Sequence, residues 1–106
     1  MNLTDMQKRY VWLAGSFPDR TLVQGRGKRS PKLLYALNVP EEIVVFGYSN
    51  PMLWLVQRGL FRGLQARNNY TLTEAGEKVF RDLLASGAGL RLNAQIRETQ
   101  VVVREP

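Results

Sequence analysis

Residues 25 to 29 read GRGKR and place Arg26, Lys28 and Arg29 around two glycines with no carboxylate nearby, a composition suited to gripping phosphate. A nucleotide-binding P-loop would need a glycine five residues before Gly27 and a hydroxyl residue after Lys28, because its backbone N–H groups cradle the phosphates and its hydroxyl holds magnesium. Leu22 and Arg29 occupy those places, so a basic loop remains rather than a nucleotide pocket. Further along stand Lys32, Arg58, Arg62 and Arg67, the last followed by Asn68 and Asn69. Counting Arg20, eight basic residues between positions 20 and 73 meet only Glu41 and Glu42, while residues 1–19 and 74–106 are each balanced. The whole net charge of +6 therefore lies in the middle of the chain, and one positive face is expected. Arginine dominates the basic set, and its planar fork matches phosphate and base edges better than an ammonium does.

Other chemistries have little to build on. The chain has no histidine and no cysteine, which removes the usual nucleophile–base pairs, thiolate metal sites and disulfides. Its close acidic pairs, Glu41 with Glu42 and Glu74 with Glu77, fall at expected helix N-termini, where carboxylates stabilise the dipole. Neither an enzyme nor a cofactor is expected. No apolar run approaches the roughly 18 to 20 residues of a membrane span, so the expectation is a cytoplasmic protein with no membrane partner. At 106 residues and 44% apolar content, residues 1–106 form one domain.

The elements that must position these residues follow from caps and periodicity. Thr4 and Gln7 fit a capping box ahead of Met6, Tyr10, Leu13 and Phe17, with Gly15 and Pro18 as the stop. Ser30 and Pro31 suit the start of a short helix through Leu33, Leu34 and Leu37. Pro40 to Glu42 suit another helix start, although Ile43 to Phe46 is β-branched enough for a strand. Gly47 breaks that segment, and Ser49 or Asn50 can cap a helix running to Gly59, which makes a helix-turn-helix. Leu60, Phe61 and Leu64 then face Tyr70 and Leu72 across a polar tip at 65–69, a hairpin pattern. Thr73 can cap a helix through Val79, Phe80, Leu83 and Leu84 to Gly87. Residues 88–106 form a C-terminal extension whose apolar residues alternate through Leu90, Leu92, Ala94 and Ile96. A strand or hairpin is expected there, with an amphipathic helix as the alternative, and a shared sheet edge could make a homodimer.

Helix, turn, helix, hairpin and helix over residues 40 to 86 resemble the winged helix-turn-helix domain of MarR- and PadR-type transcriptional regulators. The phrases LVQRGLF and YTLTEAG resemble that family's wording around the wing. The resemblance implies a small α+β winged helix-turn-helix domain of three to four helices with a β-hairpin wing. It also implies a regulator whose partner is double-stranded DNA. The wing residues Arg67, Asn68 and Asn69 would enter a minor groove, while Arg58, Arg62 and the Arg26, Lys28, Arg29 and Lys32 group would meet phosphates. Asn50 would lie on the recognition helix. Only Asn50, Gln57 and Arg58 are polar on that helix: Leu53 and Val56 can be core, and because Met52, Trp54 and Leu55 cannot all turn inward as well, either the helix is buried on several sides or those three form an outward patch. Such a patch carries a second reading, a phage or mobile-element module that docks on a protein partner.

Overall fold

The computed structural model describes residues 3–24, 32–36, 44–47, 49–64 and 69–99. In chain order it contains helix α1 (Asp5–Gly15), strands β1 (Thr21–Gln24), β2 (Lys32–Ala36) and β3 (Val44–Gly47), and helix α2 (Ser49–Gln57). Strands β4 (Phe61–Gly63) and β5 (Asn69–Leu72) follow, then helices α3 (Glu74–Ala85) and α4 (Gly89–Thr99). The architecture is α+β, with a five-stranded antiparallel sheet in the order β3-β2-β1-β5-β4.

Local chemistry starts α1 where the sequence places it. The Gln7 N–H donates to Thr4 Oγ1 at 3.1 Å and the Thr4 N–H donates to Gln7 Oε1 at 2.9 Å, so both halves of the capping box form. The helix is buried almost all round from Tyr10 to Gly15 because it packs on β1 and β5 and touches the other three helices. Leu22, Leu60, Phe61 and Leu92 complete the core around it.

One expected helix is a strand, and in two other segments the alternative holds: the strand at 44–47 and the helix in the C-terminal extension. Residues 32–36 form β2 instead of a helix, and residues 44–47 form β3. The Ser-Pro cap signal is local, whereas β2 gains ladder partners on both sides: Leu34 pairs with Gln24 of β1 and with Val45 of β3. In β3 the β-branched Val44 and Val45 beside Phe46 suit a pleated surface. No helix therefore precedes α2 across a three-residue turn, and the helix-turn-helix pair expected over 40–59 is replaced by a strand followed by a helix. Residues 37–43 lie outside the described residues. The C-terminal extension is helix α4 up to Thr99, not a strand or hairpin. Its alternation misleads because Leu92 is fully buried while Leu90 is 85% exposed, and Arg, Asn, Ala, Gln and Glu in this segment resist strand formation. Among the described residues no helix is long and apolar enough to cross a membrane.

The hairpin and the helix after it match expectation. Phe61 pairs with Leu72, Arg62 with Thr71 and Gly63 with Tyr70, and the Leu64 N–H donates to the Asn69 carbonyl at 2.9 Å. Thr73 caps α3 by accepting from the Gly76 N–H at 3.2 Å, and its hydroxyl donates to the Gly59 carbonyl. The strand stops at Leu72 because the next residue is already the cap that opens α3.

Candidate nucleic-acid interface

The orientation of α2 is set at its C-terminal end. Gly59 has φ 76°, a left-handed conformation that glycine adopts without a Cβ penalty. Its N–H reaches the Val56 carbonyl at 3.0 Å, and the Leu60 N–H reaches the Leu55 carbonyl at 2.9 Å. These two bonds form a Schellman cap, which stops the helix and turns the chain toward β4. Leu55 and Leu60 are both fully buried, and Met52 joins them one turn earlier. Burial of each such side chain stabilises the fold by roughly 1.5–3 kcal/mol, which fixes the rotation of the helix.

That rotation differs from the expected one by a single residue. Met52 and Leu55, which one of the two alternatives placed on an outward patch, are 1% and 0% exposed and belong to the core. Leu53, expected in the core, is 56% exposed. Trp54 is half-buried at the border, where it packs on the core cluster, and Gln57 and Arg58 are exposed. A run with apolar residues at 52 to 56 carries too weak a periodicity to reveal this phase; Gly59 followed by an apolar residue was the available signal.

The outward side of α2 carries a paired group. The Arg58 guanidinium carbon lies 4.3 Å from the centroid of the Trp54 ring, a cation–π contact one helical turn apart. Past the Gly59 turn, Arg62 is exposed on the edge strand β4. Leu72, Thr73 and Glu74 line an open recess with it. Among the described residues neither arginine has an ion-pair partner. Two exposed arginines thus lie on either side of the Gly59 turn in sequence, between α2 and the β4–β5 hairpin.

Arg20, by contrast, is engaged in the structure. Its Nε donates to Glu77 Oε1 at 2.7 Å, its Nη1 donates to the Phe17 carbonyl at 2.6 Å, and its guanidinium lies 5.8 Å from the Phe80 ring centroid. Glu77 is correspondingly a structural partner in the first turn of α3. Asn69 is half-buried as the first residue of β5, paired with Val23, and is not part of the wing tip. Lys32 opens β2 opposite Gly47, and Asn50 lies in the first turn of α2. Arg26, Lys28, Arg29, Arg67 and Asn68 lie outside the described residues. Geometry therefore brings together Arg58 and Trp54 from the expected set, while Arg62 lies four residues on, in β4. No protein-family model, curated protein or solved structure matches the chain.

Proposed function

We propose that this chain is a small cytoplasmic DNA-binding protein of the winged type, acting in transcriptional regulation and not as an enzyme. In this reading it meets duplex DNA through the junction of α2 and the wing. The observation that carries the reading is the pair Arg58 and Arg62, exposed and without ion-pair partners among the described residues, in the segment that holds the entire net charge. Affinity in this arrangement comes mainly from phosphate contacts, because the described outward side of α2 offers only Gln57 and Arg58 to base edges. The proposal also assigns DNA contacts to Arg26, Lys28, Arg29, Arg67 and Asn68, on their residue types alone.

The test is fluorescence anisotropy with unrelated duplexes over a range of salt concentrations. Arg58→Ala with Arg62→Ala should weaken binding on every sequence and flatten the slope of log affinity against log salt by about 0.9 for each phosphate no longer neutralised. An unchanged slope removes this surface from the mechanism. A second reading, docking on a protein partner, rests on Leu53, which is 56% exposed beside the half-buried Trp54. It no longer includes Met52 or Leu55.

A further inference from the structure

The outward side of α2 offers a flat cation where a groove-reading helix offers a row of polar groups. The Arg58 guanidinium carbon lies over the Trp54 ring, 4.3 Å from its centroid, and Arg58 is exposed. Trp54 is held from beneath by the core, so the stack rests on a fixed base. Beside it Leu53 adds exposed apolar surface, and Arg62 follows across the Gly59 turn. A guanidinium over an aromatic ring, with a second cation close along the chain, suits one ligand chemistry in particular. An unpaired nucleotide can lay its base on the plane and direct its phosphate to the neighbouring arginine.

We infer that Trp54 and Arg58 form a stacking platform for an unpaired nucleobase, with Arg62 as the adjacent phosphate contact, so that the protein prefers single-stranded nucleic acid or duplex with an opened base. The inference rests on the proposed nucleic-acid function and revises its substrate class, putting an unpaired base before intact duplex. Duplex DNA hides its base faces within the stack and shows only edges and phosphates. The described part of this helix is poor in groups that read edges, and its one prepared feature matches a face. Charge favours a polyanion over a protein surface poor in acidic groups, since both arginines lack carboxylate partners among the described residues.

The experiment measures the full chain against fluorescein-labelled oligothymidylate and against a random duplex of equal length at low salt. The wild-type protein should bind oligothymidylate more tightly than duplex. Trp54→Leu, which keeps apolar bulk and removes the ring, should lower the ratio of single-strand to duplex affinity about fivefold or more, the scale of one base stack. Arg58→Lys, which keeps the charge and removes the plane, should lower the same ratio in the same direction. Thermal melts of both variants establish that they remain folded, and Arg58→Lys, at an exposed position, supplies the readout if Trp54→Leu fails to fold. A ratio unchanged in Arg58→Lys overturns the platform. Duplex binding without any single-strand binding also overturns it while the proposed function stands. Absence of binding to both nucleic acids overturns the two together and leaves the protein-docking reading.

Discussion

Gly76→Ala probes the joint between the β4–β5 hairpin and α3. Gly76 is the third residue of α3 and is buried. A Cβ built there would run into the Leu60 carbonyl oxygen and lie 2.7 Å from Leu72 Cδ2, at the last residue of β5. Neither neighbour is free to yield. The Leu60 carbonyl accepts the Thr73 N–H at 3.1 Å, and Thr73 is the cap of α3. On an open helix surface the same substitution would stabilise by about 1 kcal/mol, because alanine is the better helix former. Against this, crowding a packed site costs about 1–3 kcal/mol. Displacing the Thr73 cap costs about 1 kcal/mol more. The net expectation is a loss of about 1–3 kcal/mol, and each kilocalorie shifts the melting temperature by about 4–8 °C in a domain of this size class. Circular dichroism melts and urea unfolding measure the change directly. A melting temperature equal to or above that of the wild type would show that the α3 turn does not press on the base of the wing.

Two further substitution pairs test the geometry elsewhere. Met52→Ala should cost about 2–5 kcal/mol as a core truncation, whereas Leu53→Ala should stay within about 0.5 kcal/mol as a surface change; equal losses in urea unfolding would refute the rotation assigned to α2. Arg20 has φ 53°, so Arg20→Gly should be more stable than Arg20→Ala by about 1 kcal/mol, since both lose the Glu77 ion pair but only alanine keeps the left-handed penalty. Alanine proving as stable as glycine there would mean that the backbone at Arg20 is not constrained.

What could be read from the residues alone was what local chemistry decides. The Thr4–Gln7 capping box, the Thr73 cap and the hairpin between Phe61 and Leu72 all depend on groups a few residues apart, and all are present. Strand β2 was hidden because its ladder partners in the neighbouring strands β1 and β3 lie beyond the reach of a local signal, while Ser30 and Pro31 offered a nearer and misleading helix signal. Helix α4 was hidden by the alternation of Leu90 and Leu92, which fits two periods over so short a stretch. Its register depends on Trp12, whose indole N–H donates to Asn93 Oδ1 at 2.8 Å from the far end of the chain. For the candidate interface, the arginines were legible from charge alone. The Trp54–Arg58 stack was not, because its formation depends on which side of α2 turns inward.

The replacement of an expected helix by β2 and β3 alters the mechanical basis of that interface. In a helix-turn-helix the second helix is braced by the first; here α2 is fixed instead by Met52 and Leu55 in the core and by the Gly59 cap at its end. The β4–β5 hairpin is braced differently again. Thr21 of β1 pairs with Thr71 of β5, which pairs in turn with Arg62, so the β4–β5 hairpin continues the sheet instead of projecting as a lone ribbon. Two strands therefore support the backbone that carries Arg62, while the indole of Trp54 restrains the guanidinium of Arg58 before any ligand arrives. Immobilising an arginine side chain costs up to about 1.5–2 kcal/mol of rotamer entropy. Where stacking has already met part of that cost, more of each phosphate or base contact appears as affinity. Removing the Trp54 ring should therefore weaken ligand binding even though the Arg58 charge is retained, a loss that the count of positive charges alone does not account for.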